Sequence, residues 1–246
     1  MRVFLLDQSF SGENIYPLKS REKQYLNKVL RLHVGLEFTA KDRNENYYKA
    51  TLIDIETLSL EPTEVPEETL LDNLSGYQGK FANINIFFSL LKGKKNEMVV
   101  KALTEIGVSS ITIVNSKYVQ EKNFNQHQRE RLETIMKEAV QQSGAATPIL
   151  SGPIGFEESL EKAIGECFIL HQSSLVESIS LKKAFESISI DTPISLFIGP
   201  EGGFSDEECN LAIKRNIKPI LMNTNILRAE TAAIYAASAV QTLIQG

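Results

Sequence analysis

Two stretches of the chain carry residues whose types and spacing suit chemistry. In Ile194-Ser-Leu-Phe-Ile-Gly-Pro-Glu-Gly-Gly-Phe-Ser-Asp-Glu-Glu208, a short apolar run leads directly into a Gly/Pro turn that carries one acid. Glycines in such a turn let the backbone approach a ligand closely. Ser205 and Glu208 then form the spacing of a capping box, which starts a helix. The turn has neither the Lys-Ser/Thr of a phosphate-cradling loop nor the Gly-x-Gly-x-x-Gly of a dinucleotide site. Glu201 would repel a phosphate and suits a cationic or hydrogen-bond-donating ligand. A plain strand-to-helix turn explains the glycines equally well.

The second stretch, Ile220-Leu-Met-Asn-Thr-Asn-Ile-Leu-Arg-Ala-Glu-Thr-Ala-Ala233, passes from a short apolar run through an Asn-rich turn into a small-residue helix. Asparagine suits left-handed and side-chain-bonded turn conformations. Arg228, Glu230 and Thr231 stand together at the expected helix start. A negative charge in the first turn favours the helix macrodipole and accounts for Glu230, whereas the positive charge of Arg228 opposes it. Arg228 is the more informative residue.

These turns must be held by the elements around them. Residues 1–60 read as short strands at Val3–Leu6, Leu36–Lys41, Tyr47–Ile55 and Thr57–Glu61, with one helix around Arg21–Arg31, a pattern that predicts a small β-rich barrel. Pro62, Pro66, Gly76 and Gly79 mark residues 62–80 as a linker, so 1–70 and 71–246 are expected to form separate domains. Beyond it, apolar runs at Ile84–Leu91, Ile111–Val114, Cys167–Leu170 and Ile194–Ile198 alternate with helical stripes. Met98, Ala102, Leu103 and Ile106 share one face of a helix over Glu97–Ile106, which Gly107 should stop. Leu132, Ile135, Met136, Ala139 and Val140 share a face of a second helix ending near Gly144, and a last helix runs from about Ala229 to the end. The alternation predicts an α/β domain with a mainly parallel sheet covered by helices. In such a sheet ligands bind beyond the carboxyl ends of the strands, where Gly199–Gly203 falls.

Composition narrows the alternatives. Of 246 residues, 42% are apolar and 23% charged, which argues for packed cores and against disorder. No stretch approaches the roughly 18 apolar residues of a membrane span, and the first residues do not resemble a signal peptide, so a cytoplasmic location is expected. Cys167 and Cys209 lack metal or CxxC spacing and are expected to be buried thiols. With only His33, His127 and His171 beside them, no protein-held metal is expected. The net charge of -5 disfavours a protein that coats nucleic acid through bulk electrostatics. Residues 1–60 hold nine Lys/Arg against eight Asp/Glu, so any nucleic-acid contact must be focused.

Gly199-Pro-Glu-Gly-Gly203, followed by Ile226-Leu-Arg-Ala-Glu-Thr-Ala232, resembles the paired signature of the RsmE family, ribosomal RNA uridine-N3 methyltransferases of the SPOUT superfamily. Lys92-Gly, Glu97, Lys101 and Glu105-Ile-Gly-Val108 match the family's first helix and its approach, and Glu138-Ala with Gln142-Ser-Gly144 match its second. Val29-Leu-Arg31 with Gly35 matches its N-terminal domain. Tyr25, Tyr118, Ala145 and Asn223 depart from the family pattern: Tyr25 stands for a usual His, Tyr118 and Ala145 for usual Arg, Asn223 for a usual Gly.

The resemblance implies a PUA-like RNA-binding β-barrel followed by an α/β SPOUT-type domain with a C-terminal trefoil knot, paired in a homodimer through the C-terminal parts. Its cofactor is S-adenosylmethionine, whose sulfonium and ammonium groups suit an acid such as Glu201. Cofactor contacts are implied for Leu170, for Ile198 with Gly199, Pro200, Glu201, Gly202 and Gly203, and for Leu221, Met222, Asn223, Ile226, Leu227 and Thr231. Lys92 and Lys95, with Arg2 and Arg31, are the candidate contacts to 16S ribosomal RNA. Methylation of N3 requires loss of the uridine imide proton, so Arg228 is expected to stabilise the developing charge and Glu201 or Glu230 to accept the proton. The competing readings are a SPOUT ribose 2′-O-methyltransferase and a non-catalytic RNA-binding or ribosome-assembly protein.

Overall fold

The computed structural model describes residues 3–7, 14–29, 32–44, 46–64, 81–120, 123–171, 178–222 and 224–245. The chain divides into two compact units, one of residues 1–78 with 141–144, the other of residues 79–140 and 145–246. Most of the expected linker lies outside the described residues.

The first unit is a five-stranded sheet with the order β1-β3-β4-β5-β2. Its strands are β1 (Phe4–Leu5), β2 (Ile15–Pro17), β3 (Glu37–Lys41), β4 (Tyr47–Asp54) and β5 (Thr57–Thr63), and all pair antiparallel except β1 with β3. Strict alternation places Phe38 and Ala40, then Tyr48, Ala50 and Leu52, then Leu58 and Leu60 on one buried face. Phe4 from one edge strand and Tyr16 from the other join that same core, so the sheet curls over a single interior. A helix, α1 (Ser20–Gln24), continues into a wider π-helical turn at Tyr25–Val29, and the end of the expected helix at Arg31 lies outside the described residues.

Strand β5 runs through Pro62, which pairs with Tyr48, so the expected break at Pro62 comes two residues too early. A proline is tolerated there because the described pairing of β5 with β2 covers Thr57–Ser59 and ends with the Leu60 N–H on the Asn14 carbonyl, two residues before Pro62. Sequence reading also missed β2, a three-residue edge strand that itself ends in Pro17.

The second unit is a seven-stranded parallel sheet of order β10-β12-β9-β11-β6-β7-β8. Its strands are β6 (Ile84–Ser89), β7 (Ser110–Asn115), β8 (Ile149–Gly155), β9 (Glu166–Leu170), β10 (Ile179–Ser180), β11 (Ile194–Ile198) and β12 (Lys218–Leu221). Every residue of β6 and β11 is buried, as expected of central strands covered on both faces. On one face Ile86, Phe88, Leu196 and Ile198 meet the helices α2 (Lys95–Ile106), α3 (Gln126–Ser143) and α7 (Ala229–Gln245). On the other, Phe87 stacks on Phe197 at 4.6 Å beneath α4 (Phe156–Lys162) and α6 (Asp206–Lys214). A short α5 (Leu181–Phe185) follows β10.

The α3 stripe is buried as expected, and Gly107 closes α2 in a left-handed conformation. The face of α2 is corrected. Val99, Val100 and Leu103 are buried whereas Met98 is 47% exposed, because the helix turns its Val-rich side, not its Met98 side, to the sheet and α7. Strand β8 and helix α4 were not anticipated, since β8 is an edge strand with no alternation and no fully buried residue.

Candidate active site

Strands β12, β9 and β11 are neighbours and parallel, so the segments leaving their carboxyl ends lie side by side. These segments and the start of α7 enclose a cavity of about 420 Å³, within the roughly 300–1,000 Å³ of small-molecule sites. Leu170, Ile198, Ile220, Met222 and Leu227 give it apolar walls, while Gly199–Gly203 gives it a backbone wall.

The backbone wall needs its glycines. Gly203 has φ +72°, closes a turn by donating its N–H to the Pro200 carbonyl at 2.8 Å, and faces open space. A Cβ on Gly199 would stand 3.0 Å from the Gly203 carbonyl carbon, so any side chain there would push the turn apart. The capping box then starts α6: the Glu208 N–H donates to Ser205 Oγ at 3.3 Å and the Ser205 N–H to Glu208 Oε2 at 2.9 Å. Tyr118, where the resemblance leads one to expect an arginine, supports Gly202, with its Cβ 3.2 Å from where a Gly202 Cβ would stand.

A charge cluster ties three elements together. Lys95, the first residue of α2, donates from Nζ to Glu201 Oε1 at 2.7 Å and lies 3.4 Å from Glu230 Oε2 in the first turn of α7. A cation at a helix N-terminus is unfavourable by itself, and the two carboxylates offset that cost. Hydrogen bonding to Glu201 raises the Lys95 pKa. Burial pushes Glu201 upward, but the Lys95 bond and backbone donors outweigh it and hold the carboxyl below its ordinary value. Arg228 lies at the cavity rim, exposed and without an ion pair among the described residues, and its carbonyl accepts the Ala232 N–H at 2.8 Å.

Of the residues singled out in the sequence, Leu170, Ile198, Gly199, Pro200, Glu201 and Gly202 are brought to the cavity together with Gly203, Met222, Ile226, Leu227 and Arg228. Leu221, Glu230 and Thr231 are not; Glu230 is buried outside the lining, 3.4 Å from Lys95. Leu221 alternates with Ile220 and Met222 and so faces away, and Thr231 is on the exposed side of α7 whereas Ala229 and Ala232 face inward. Lys95 is held by carboxylates at this site instead of standing free for RNA, while Lys92 is exposed. Arg2, Arg31 and Asn223 lie outside the described residues. Ala233, Ala236 and Ala237 of the last helix are buried in this unit's own core.

Sequence reasoning missed His171, Phe204, Ile220, Ala229 and Ala232. The apolar ones carry no signal that separates a cavity wall from ordinary core. His171 did carry one, because it follows the last residue of β9 directly. It approaches Cys209 Sγ through Nδ1 at 3.3 Å, and burial lowers its pKa. Burial also pushes the Cys209 thiol up to about 11. Cys167, expected to be buried, is only half-buried.

An all-parallel α/β sheet whose adjacent strands end at one small-molecule cavity is a ligand-binding domain of the doubly covered α/β class. The family model described as "RNA methyltransferase domain" matches residues 79–241. A ribosomal RNA small subunit methyltransferase E from Mesomycoplasma hyopneumoniae is 30% identical over 203 residues, spanning 80% of this chain and 86% of its own. One of the same name from Synechocystis sp. is 27% identical over 230 residues, spanning 93% of this chain and 73% of its own. The Neisseria gonorrhoeae ribosomal RNA small subunit methyltransferase E, solved bound to S-adenosyl methionine, has the same fold, with a TM-score of 0.75 at 24% identity over 99% of this chain and 98% of that one. The chain belongs to the RsmE family of RNA methyltransferases. Its fold is the α/β SPOUT-type domain preceded by a small β-rich unit that the resemblance implies.

Proposed function

We propose that this chain transfers a methyl group from S-adenosylmethionine to N3 of a uridine in 16S ribosomal RNA, acting in the cytoplasm on the small ribosomal subunit. The observation that carries the reading is that both signature turns line one cavity at the carboxyl ends of β9, β11 and β12, with the exposed Arg228 at its rim. The cavity fits the cofactor: apolar walls can cover an adenosine, and Gly203 offers backbone that no side chain hides. Leu170, Ile198, Gly199–Gly203, Met222 and Leu227 would hold it. When bound, S-adenosylmethionine supplies an electrophilic methyl group on a sulfonium.

The chain's own residues would do the rest. Arg228 would orient the uridine and stabilise the negative charge that spreads onto O2 and O4 as the imide proton leaves. Glu201 is engaged by Lys95 and held ionised, which makes it a weak proton acceptor. Glu230 Oε2 is held by the same lysine only at 3.4 Å and is the better candidate. The target must be unpaired or flipped, since N3 is engaged inside a helix.

We further assign to residues 1 to about 70 a role in RNA affinity, and to the C-terminal part the trefoil knot and a homodimer contact. Tyr235 and Leu243, exposed on α7 beside Leu181 and Met222, support the dimer contact.

The test is nucleoside mass spectrometry of 30S subunits from cells lacking this gene, after incubation with purified protein and S-adenosylmethionine. The expected product is 3-methyluridine. A ribose 2′-O-methyl product would replace this reading with its nearest competitor, and no cofactor binding by calorimetry would replace it with a non-catalytic RNA-binding role.

A further inference from the structure

A second cavity, of about 330 Å³, opens between the start of α2 and the start of α3. Its floor is Leu90, Leu91 and Leu132, all buried, and one wall is the half-buried ring of Phe124. Polar groups stand over this apolar slot. Gln128 is fixed by an exchange with Asn125: its Oε1 accepts the Asn125 N–H at 2.8 Å, and its own N–H donates to Asn125 Oδ1 at 2.9 Å. That leaves Gln128 Nε2 a positioned donor with no partner among the described residues.

The lip is cationic. Glu97, an acid in the lining, is already bonded by Arg131 Nη2 at 3.1 Å. Lys92 and Lys94 are exposed and make no ion pair among the described residues. They sit on a turn that buried Asn96 holds rigid, its Oδ1 accepting the Leu91 N–H at 2.9 Å and its Nδ2 donating to the Leu91 carbonyl at 2.6 Å. The residue after this turn, Lys95, reaches Glu201 of the first cavity and, at 3.4 Å, Glu230. The turn therefore separates the two cavities.

An apolar slot with an aromatic wall, one fixed amide donor and unpaired lysines at its edge matches how proteins hold unstacked RNA bases. We propose that this cavity receives an unpaired base of the RNA strand near the target nucleotide, stacked on Phe124 and bonded by Gln128, with Lys92 and Lys94 on the intervening phosphates. The proposal rests on the RNA-methyltransferase reading and adds a second base-binding site to it.

The chain has no tryptophan, so F124W introduces a single fluorophore into the slot. The probe is a fluorescein-labelled single-stranded RNA oligonucleotide of mixed sequence, with binding followed independently by anisotropy. The expected result is tryptophan quenching with the same midpoint as the anisotropy change, and none with an equal amount of duplex RNA. Separately, F124A should weaken single-strand binding by roughly 5- to 150-fold, the range for one base–aromatic stack, while S-adenosylmethionine affinity is unchanged. Unquenched fluorescence with saturated RNA, together with wild-type binding by F124A, overturns the proposal. Absence of any RNA binding by the wild-type protein overturns it as well. Quenching by a protein that methylates no RNA upholds the base site and removes the methyltransferase reading instead.

Discussion

The two units bury carboxylates in opposite ways. In the first, Glu22 is 3% exposed and accepts hydrogen bonds from the Asp7 N–H at 3.0 Å, the Tyr16 hydroxyl at 2.9 Å and the Lys19 N–H at 2.8 Å. Asp42 is 4% exposed and accepts from the N–H groups of Asn44 and Asn46, the Asn46 side-chain amide and the Tyr48 hydroxyl. Burial first, then the neighbouring carboxylate, raises the pKa of both tyrosines and keeps them as donors. In the second unit Glu230 is as deeply buried, at 5%, yet among the described residues its Oε2 meets no donor closer than Lys95 Nζ at 3.4 Å. A saturated carboxylate is a post of the scaffold. One left with spare acceptor capacity beside a cavity is costly to the fold, and such groups belong to sites.

The largest test of this division lies at the exposed rim. Arg228→Ala removes an exposed side chain with no ion pair among the described residues, so melting temperature and cofactor affinity should stay near wild type. Single-turnover methylation should fall by a factor on the order of 10²–10³, as for loss of one preorganised charge-stabilising group. A folded protein with normal turnover would sink the catalytic role of Arg228. Dissociation or a lower melting temperature would move the residue to the scaffold side. The next largest effect is the converse. Glu22→Ala strands three donors and should cost the first unit about 3 kcal/mol, seen as an earlier denaturant midpoint, with S-adenosylmethionine affinity unchanged.

What the sequence revealed follows the same division. The fully buried strand Ile194–Ile198 was legible to the residue because four of its five side chains are apolar and both its faces are covered, and the Ser205–Glu208 cap because its chemistry is local. Edge strands β2 and β8 were not, since prolines and mixed exposure erase periodicity there. The cavity's glycines and Arg228 were legible through their types. The partnership of Lys95 with Glu201 and Glu230 was not, because it joins positions over a hundred residues apart that only the fold brings together. His171 was passed over as one of three scattered histidines. Its place at the end of β9 means something only once β12 and β11 are known to flank that strand.

Glu230→Gln sharpens the comparison at intermediate size. It keeps the shape and removes the charge, so Lys95 retains only Glu201. Stability should change by less than about 1 kcal/mol, because the interaction lost is one long ion pair whose lysine keeps its shorter bond to Glu201. Turnover should fall by at least about tenfold if Glu230 accepts the imide proton, equivalent to roughly 1.4 kcal/mol of barrier. The matched change in the scaffold, Asp42→Asn, should do the reverse: lower stability with unaltered turnover per folded molecule. Equal responses of the two variants would erase the distinction between the carboxylates.

The smallest expected effect concerns pH and the pair His171–Cys209 at the cavity wall. Burial lowers the His171 pKa; Asp206 pulls the other way and loses. With the Cys209 thiol raised to about 11, both partners are neutral at pH 7. The folded state therefore resists a proton that the unfolded chain takes up readily, with a pKa of roughly 6.5. Above that value neither state binds the proton and the stability is fully present. As the pH falls through it, protonation favours the unfolded chain, and the loss levels off only below the depressed folded value. His171→Gln removes this contribution, so the melting temperature of the variant should fall less than that of the wild type between about pH 7 and pH 5.5. Parallel curves would mean that His171 is not held neutral. The cofactor gives an independent reading: a protonated His171 in the wall would repel a sulfonium, so wild-type S-adenosylmethionine affinity should hold through the upper part of that interval and weaken only as the pH falls through the depressed folded value, while that of His171→Gln stays flat.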